Sequence, residues 1–294
     1  MLTVGTVQKV RTMQTDVTVV HCHSRSARHS NSSRHSKSAH HAKPFHCKAL
    51  DDFNDYDAPS LGYGGSAAVL AVNAQLVVKL FSTSPEAGKE LMRELDVYQR
   101  LTRDRQSPYV MQCFGRWETG VVLERLEMTV RQRLQGGEVS PKLQDLWIIE
   151  IARAVRFLHQ NRIYHGDISC QNMMLDRNDN AKICDFAGSR MGKKKGWARY
   201  QVRNQHPSYI GQQPNAMTEI FALGSVFFEI VTGYPPYEYL PESSVQQKYA
   251  EGDFPLNFII RPEMQAVIGS CWRGEYRKVS HLCEDIELYV ENGI

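Results

Sequence analysis

The sequence lacks the features that mark several classes of protein. Its seven cysteines are an odd number and include no Cys-x-x-Cys pair, so we expect reduced thiols and an intracellular protein. No run of about 18 apolar residues occurs, which predicts that no segment spans a membrane. The longest apolar stretch, 220–231, contains Glu229 and suits a buried helix. The first 20 residues also lack the apolar segment of a secretory signal.

Acidic residues are almost missing from the first 50 positions, where eight Lys and Arg side chains face only Asp16. The formal charge of this segment is +7, and the rest of the chain, with 27 basic and 31 acidic residues, carries −4. Because the net charge of +3 comes from this segment, we expect no nucleic-acid partner. Residues 21–47 are rich in Ser, His and Arg, which predicts a disordered tail over residues 1–50.

The composition of this tail leaves other interpretations open. Its seven histidines and two cysteines could hold a metal, but no pair has the spacing of a zinc finger, so a solvated tail is favoured. An Arg-rich, Ser-rich and acid-poor segment also fits an organelle transit peptide. A wrongly placed start codon would look the same. We therefore expect a cytoplasmic or nuclear protein, with organelle targeting still open.

The pattern changes near residue 58 to one typical of folded structure. Strands joined by tight turns are predicted at 67–72, 76–81, 113–118 and 120–126. One helix, with apolar residues at regular spacing, is predicted at 86–101. Farther along, Ser140 and Pro141 predict the start of a long helix that ends near His159. Two short strands are predicted at 173–176 and 181–185, and four more helices are predicted at 217–232, 243–251, 263–272 and 278–291. The fold class is therefore α+β.

Glycines and a lysine in the first half carry the first chemical signal. Gly62, Gly64 and Gly65 form a turn whose backbone could approach phosphate oxygens, although glycine turns are common in hairpins. Lys79 lies inside an apolar strand, and a buried ammonium needs a partner. Glu94 could be that partner, and Glu90, one turn earlier, is the alternative. A lysine on an edge strand facing water is the other interpretation.

Polar residues in the second half complete the signal. Asp167 and Asn172 lie five residues apart in YHGDISCQN (164–172), and Asp185 follows a predicted strand. Carboxylate and amide oxygens suit Mg²⁺, so Asn172 and Asp185 are candidate metal ligands. Asp167 is then left to accept a proton from an attacking hydroxyl. Each residue alone is more often found in a turn, but chance does not readily explain all of them in this order.

Taken together, these motifs resemble a eukaryotic-type protein kinase domain over about residues 58–290, with some similarity to small divergent kinase-like proteins of fungi. The motifs in chain order are LGYGGSAAV, VVKL, RELDVY, HGDISCQN, DFAG, TEIFALGSVFFEIVTGYPPY and CWRGEY. The resemblance implies a kinase domain over 51–294 with a bilobal fold. A small antiparallel-sheet N-lobe with one helix would span about 58–126, and a larger, mainly helical C-lobe about 127–294.

The resemblance also implies ATP and Mg²⁺ as cofactors and a protein hydroxyl, with Ser or Thr favoured, as the acceptor. Lys79, paired with Glu94, would hold the α- and β-phosphates, Asp167 would orient the hydroxyl, and Asn172 and Asp185 would bind Mg²⁺. The expected nucleotide-binding residues are Leu61, Gly62, Gly64, Gly65, Ala67, Val69, Val77, Lys79, Leu123, Glu124, Leu126 and Leu175.

Several residues depart from the family pattern. Gly166 stands before the catalytic Asp, where the family usually has an Arg. That Arg normally contacts a phosphate on the activation segment. We therefore predict activity without phosphorylation of that segment, whose hydroxyl residues are Ser189, Tyr200, Ser208 and Tyr209. Ser169 stands where Ser/Thr kinases carry a Lys that contacts the γ-phosphate, and the absence of that Lys should slow transfer. Gln171 does not match the Arg of tyrosine kinases.

Other departures affect the substrate platform. Glu219 replaces the Asp that usually braces the catalytic loop, and HPSY (206–209) is the nearest substitute for a missing Ala-Pro-Glu motif. Residues 193–195 are three lysines that could meet an acidic substrate or partner, although a solvated face is the favoured interpretation. Two alternative functions stay open: a pseudokinase or scaffold, and a small-molecule phosphotransferase of the aminoglycoside type. The helix at 217–232 and the glycine turn argue against the second.

Overall fold

A computed structural model describes residues 50–51, 53–102, 106–211 and 213–291. The predicted tail, with its metal-binding alternative, lies outside the described residues except for Leu50. The described residues form two lobes, one built on a five-stranded antiparallel sheet and one mainly helical. The α+β fold predicted from the sequence is confirmed.

The first lobe contains five strands and one helix, and the sheet order is β1-β2-β3-β5-β4. The bounds are β1 (Ser60–Tyr63), β2 (Ala67–Ala71), β3 (Leu76–Phe81), α1 (Pro85–Leu101), β4 (Cys113–Trp117) and β5 (Gly120–Glu124). Strand β1 pairs with β2 around the glycine turn. The sequence did not predict β1, because its glycine suggested a chain break.

The second lobe is built mainly from six helices, with short strands beneath the first lobe. The bounds are β6 (Met128–Thr129), α2 (Val130–Gln135), α3 (Pro141–Gln160), β7 (Ile163–Tyr164), β8 (Met173–Leu175), β9 (Ala181–Ile183), β10 (Arg190–Met191), α4 (Ala216–Thr232), α5 (Glu242–Ala250), α6 (Pro262–Trp272) and α7 (Val279–Glu291). The predicted helices agree within a residue or two, whereas β6, α2, β7 and β10 were missed because they are too short to show periodicity.

Alternation along β3 decides which way Lys79 points. Side chains of a strand point to opposite faces in turn, and Leu76 and Val78 pack on the outer face of the sheet. Val77 and Phe81 face the main core instead. Lys79 shares their face and lies 5.2 Å from the centre of the Phe81 ring. The ammonium is thereby directed toward α1 and the second lobe.

Helix α1 begins where the sequence supplies a cap. The Ser84 hydroxyl accepts a hydrogen bond from the Ala87 backbone N–H at 3.2 Å, and Pro85 occupies the first turn. The helix buries one face that carries both Glu90 and Glu94. These two acids therefore face the sheet and the second lobe rather than solvent.

Helix α4 is the centre of the second lobe. Asn215 and Thr218 form a capping box at its start, and Gly233, with a φ of +83°, ends it. Residues 218–230 are all buried, as expected for a helix that is apolar on every face. The helix therefore supports the segment 164–172, which we call the catalytic loop.

None of the helices within the described residues combines the length and the hydropathy needed to cross a bilayer.

Candidate active site

The ammonium of Lys79 lies between two carboxylates. Its Nζ donates to Glu94 Oε2 at 2.8 Å and to Asp185 Oδ1 at 2.7 Å. Glu94 is fully buried, whereas the Asp185 side chain is 44% exposed. The structure thus pairs Lys79 with Glu94 rather than with Glu90, and joins β3, α1 and the segment after β9 at one point.

Burial and charge act in opposite directions on this cluster. Burial alone would lower the pKa of Lys79, but the adjacent Glu94 and Asp185 carboxylates outweigh it and raise that pKa. Burial raises the pKa of Glu94 to about 7 despite the opposing charge of Lys79. Desolvation would also raise the pKa of Asp185, but Lys79 outweighs it and holds this pKa below its ordinary value. Lys79 therefore stays cationic and Asp185 anionic near neutral pH.

Asp167 and Asn172 contact each other within the catalytic loop. The Asn172 amide nitrogen donates to the Asp167 backbone oxygen at 2.7 Å and to its Oδ2 at 2.9 Å. Asp167 Oδ1 is buried and has no hydrogen-bond partner among the described residues. Burial raises the pKa of Asp167, and the hydrogen bond from Asn172 opposes that rise. The loop thus holds one carboxylate oxygen and leaves the other, which is buried, without a hydrogen-bond partner among the described residues.

The same geometry bears on the candidate metal ligands. Because the Asn172 nitrogen points at Asp167, its amide oxygen is the atom left for a cation. Asn172 precedes β8 and Asp185 follows β9, and these strands are antiparallel neighbours, so both side chains lie at one edge. No cluster of three His, Cys, Asp or Glu side chains within the described residues could hold a metal alone. One carboxylate and one amide fit Mg²⁺, which takes its other ligands from phosphates and water.

A cluster of aromatic rings in edge-to-face and tilted contact surrounds the residue after Asp185. Phe186 is fully buried, and its ring centre lies 5.1 Å from that of Tyr98 and 5.3 Å from that of His165. His165 Nδ1 accepts from the Asp167 backbone N–H at 3.2 Å, so its Nε2 carries the proton and donates to the Cys184 oxygen at 2.9 Å. These ring contacts connect α1, which carries Tyr98, to the loops that carry Asp167 and Asp185.

Glu219 on α4 supports the catalytic loop from below. Its Oε1 accepts from the Gly166 backbone N–H at 2.7 Å, and its Oε2 lies 2.7 Å from His159 Nε2. The sequence marked Glu219 as a departure from the expected Asp. The longer side chain still braces the loop, and it gains His159 at the end of α3 as a second partner.

Gln201 occupies the space next to Ser169. Its amide nitrogen donates to Ser169 Oγ at 3.2 Å and to Gln171 Oε1 at 2.8 Å. Its oxygen accepts from Arg131 at 3.1 Å, and Arg131 also forms two 2.6 Å hydrogen bonds with buried Glu229. Ser169 is fully buried, so it cannot extend toward a ligand as a lysine would. No pattern in the sequence indicates Gln201, because it lies 32 residues from Ser169 along the chain.

The predicted nucleotide-binding residues surround the point where the two lobes meet. Val77, Leu123, Leu126 and Leu175 belong to the main core, with Ala67 and Val69 packed against it, whereas Leu61 is 46% exposed on β1. The Glu124 carboxylate pairs with Lys182 at 2.7 Å and accepts from the Gln112 backbone N–H at 2.6 Å, so its partners lie within the protein. A Cβ placed on Gly62 or Gly65 would meet no atom within 4 Å. The protein's own packing does not require glycine there, which fits a loop that a ligand approaches.

The structure also describes two other features that the sequence singled out. All three lysines of 193–195 are exposed, as on a solvated face, and Lys194 also donates to Asp96 on α1 at 2.6 Å. Of the four predicted activation-segment hydroxyl residues, Ser189 is fully buried and Tyr200 is buried with its hydroxyl 2.9 Å from that of Thr218. Ser208 is exposed and Tyr209 half-buried.

Comparisons with known proteins agree with this geometry. Residues 57–278 match the family model of the protein kinase domain. The chain is 28% identical over 180 residues to mitogen-activated protein kinase kinase kinase 1a of Physcomitrium patens, covering 58% of this chain and 24% of that protein. It is 28% identical over 179 residues to serine/threonine-protein kinase fused of Drosophila melanogaster, covering 55% and 21%. Over 200 residues it is 26% identical to MAP kinase kinase MKK1/SSP32 of Saccharomyces cerevisiae, covering 60% and 38%.

These matches concern only part of each relative, because this chain spans less than two fifths of their lengths. The family model, however, covers most of this chain and includes every candidate site residue from Leu61 to Asp185. The chain belongs to the protein kinase family.

Proposed function

We propose that this chain is an ATP- and Mg²⁺-dependent protein kinase that transfers the γ-phosphate to a protein hydroxyl, with Ser or Thr favoured. The observation that carries the proposal is the position of the Lys79 ammonium between Glu94, at 2.8 Å, and Asp185, at 2.7 Å. This contact joins the strand, helix and loop on which phosphoryl transfer in this family depends.

Each residue has a role that its surroundings support. The Lys79 ammonium is held by Glu94 and can donate to the α- and β-phosphates. The backbone at Gly62, Gly64 and Gly65 can approach the phosphates because these three residues carry no Cβ. Mg²⁺, when bound through Asn172 and Asp185, would neutralise charge on the phosphate oxygens. Asp167 Oδ1, buried and without a partner among the described residues, can accept the proton of an incoming hydroxyl.

The choice of Ser or Thr as acceptor is supported by the names of matched relatives, three of which are called serine/threonine-protein kinase. The sequence itself offers neither the lysine nor the arginine that distinguish the two acceptor classes, because Ser169 and Gln171 stand there. An intracellular location also stays a prediction. It is supported by the free thiols of Cys113, Cys170, Cys184, Cys271 and Cys283.

One observation favours a pseudokinase as the second candidate. Ser169 is fully buried and occupied by Gln201, so the catalytic loop presents no lysine toward the γ-phosphate. Such a protein would still bind nucleotide through Lys79 and could serve as a scaffold.

The test uses the purified full chain with Mg²⁺ and γ-labelled ATP, and with generic protein substrates and the chain itself as acceptors. Asp167→Asn should lower transfer by about a thousandfold, because it removes the proton acceptor. Asp57→Asn, which changes an exposed carboxylate far from the site, is the matched control and should transfer normally. Thermal stabilisation by ATP should persist in both variants.

The possible results separate the candidates. Transfer that is lost in Asp167→Asn alone supports the kinase. No transfer by the wild-type chain despite stabilisation by ATP indicates a nucleotide-binding pseudokinase, and no response to ATP indicates a scaffold. Transfer to an aminoglycoside but not to protein would show a small-molecule phosphotransferase.

A further inference from the structure

Glu90 on α1 is a buried acid that the Lys79 cluster does not use. Only 5% of the residue is exposed, and it lies one helical turn before Glu94. Its Oε2 accepts from the Ser66 hydroxyl, directly after the glycine turn, and its Oε1 accepts from the Arg199 guanidinium. One carboxylate therefore contacts both the residue that follows the glycine turn and the segment after β10.

Arg199 reaches the catalytic loop as well. Its backbone N–H donates to the Gly166 oxygen at 2.8 Å, directly before Asp167. Its side chain meanwhile pairs with Glu90, which is 109 residues away along the chain. Arg199 thus links α1 to the loop that holds the candidate base.

Neighbouring contacts hold the same segment on α1. Lys194 donates to Asp96 at 2.6 Å, and Arg93 donates to the Lys195 oxygen at 2.6 Å. The Arg93 guanidinium also lies 5.5 Å from the centre of the Trp197 ring. These contacts hold residues 194–197 against α1 through side chains and backbone atoms that the sequence itself supplies.

The charges are arranged oppositely to the usual arrangement in which a phosphate on this segment meets an arginine before the catalytic Asp. Here Gly166 supplies no cation, while the segment itself carries the cation, Arg199, and α1 carries the anion, Glu90. The Glu90 side chain is only 7% exposed whereas that of Arg199 is 56% exposed, so solvent and salt screen the pair from the Arg199 side alone.

We propose that the Glu90–Arg199 ion pair takes the place of activation-segment phosphorylation and positions α1, the glycine turn and the catalytic loop for transfer. Glu90 and Arg199 are positioning residues. They act through Glu94, which follows one turn later on α1, and through Gly166, which precedes Asp167. The effect on transfer rests on the proposed kinase function, whereas the effect on the segment does not.

The test combines transfer assays with backbone hydrogen–deuterium exchange of residues 85–101 and 188–200 in the full chain. Arg199→Glu should lower kcat about tenfold, the factor expected for a contacting charged pair, and should speed exchange in both regions. The swapped double variant Glu90→Arg with Arg199→Glu should restore slow exchange and most of kcat. Lys193→Glu makes the same charge change on an exposed residue of the segment and serves as the control.

Two further variants keep the test decisive if the swapped chain does not fold. Glu90→Gln and Arg199→Gln remove each charge with little change in shape, and each should speed exchange alone. Combining them should add little, because either one already breaks the pair. Wild-type chain treated with a phosphatase should keep its full activity and its slow exchange.

Several outcomes would overturn the proposal. These are single variants that exchange as slowly as wild type, a swapped variant that exchanges as fast as Arg199→Glu, or activity lost on phosphatase treatment. If the wild-type chain transfers no phosphate, the proposed function fails, but the exchange measurements still decide whether the ion pair holds the segment.

Discussion

Gly166, the residue before the candidate base, combines a special backbone conformation with close neighbours. Its φ is +81°, a region that side-chain-bearing residues rarely adopt, and an added Cβ would lie 3.2 Å from Ala198 Cα. Its N–H is meanwhile held by Glu219 and its oxygen by Arg199. Glycine at this position, where the family usually has arginine, is therefore required by the backbone conformation of the loop.

Replacing Gly166 by alanine should lower the free energy of unfolding by about 2 kcal/mol, from backbone strain together with crowding against Ala198. Gly233→Ala is the matched control, because its φ of +83° is similar but a Cβ there meets no atom within 4 Å. The control should lose about 1 kcal/mol, from strain alone. Urea denaturation of both variants measures the difference, and equal losses would show that crowding at Gly166 is unimportant.

Glu150 is a buried acid on α3 whose titration should appear in the stability of the whole chain. Its Oε2 accepts from the Ala181 backbone N–H at 2.7 Å, and burial raises its pKa from 4.5 to about 7 despite this hydrogen bond. A raised native pKa means that the folded state binds the proton more tightly than the unfolded state. The free energy of unfolding should therefore fall as the pH rises from about 4.5 to about 7.

Glu150→Gln should make this fall shallower, because the amide does not titrate while its oxygen can still accept from Ala181. Glu94 has a raised pKa of the same sign and should keep part of the slope in the variant. Urea denaturation at a series of pH values measures the slope. Exposed Glu138→Gln is the control, and an unchanged slope in Glu150→Gln would contradict the prediction.

At the scale of elements, two helix glycines have opposite surroundings. Gly224 lies where α4 meets α6, and a Cβ there would be 2.9 Å from Cys271 Cβ and 3.1 Å from the Trp272 ring. This close approach lets the Trp272 indole donate to Ser225 at 3.1 Å. Gly88 on α1 is exposed and has no atom within 4 Å of an added Cβ.

Alanine at these two positions should therefore change stability in opposite directions. Gly224→Ala should lower the free energy of unfolding by about 1–3 kcal/mol, because the helices must separate. Gly88→Ala should raise it by about 0.5–1 kcal/mol, because alanine restricts the unfolded chain and favours a helix. Chemical denaturation of both variants tests the pair, and a loss of stability in Gly88→Ala would show that α1 is constrained there by more than its own helix.

At the scale of the whole molecule, residues on both sides of the matched kinase region pack onto it. Leu50 and Phe53 cover the outer face of the sheet, where the Phe53 ring centre lies 5.2 Å from that of Trp117. At the other end, Glu287 on α7 pairs with Arg153 on α3 at 2.9 Å. The folded unit therefore extends beyond residues 57–278 in both directions.

Two truncations test the contribution of the first of these flanks. A chain that begins at Leu50 should keep the free energy of unfolding of the full chain, because the removed segment is rich in Ser, His and Arg. A chain that begins at Ala58 should lose about 3 kcal/mol, since Leu50 and Phe53 no longer cover the sheet. Denaturation of the full chain with Leu50→Ser and Phe53→Ser should reproduce the second loss. If both truncations behave alike, the outer apolar cluster is not important for stability.

Much of the fold followed from local patterns. Ser140 and Pro141 predicted the start of α3, the apolar spacing over 86–101 predicted α1, and the apolar run at 217–232 predicted the buried helix α4. The shortest strands and α2 were not predictable, because two to six residues show no period and are held by neighbours distant in the chain. Strand β1 was missed for a related reason: its glycine lowers strand propensity, and pairing with β2 compensates for it.

The sequence by itself determined which polar residues could form a site, because Lys79, Glu94, Asp167, Asn172 and Asp185 occur in a recognisable order and spacing. Only the tertiary structure decided which partner each charged group has. In the folded chain Glu94 pairs with Lys79 and Glu90 pairs with Arg199. The Gln201 amide donates to Ser169. The physical reason is that these contacts join elements up to 109 residues apart, so they depend on how helices and strands pack and not on any local pattern.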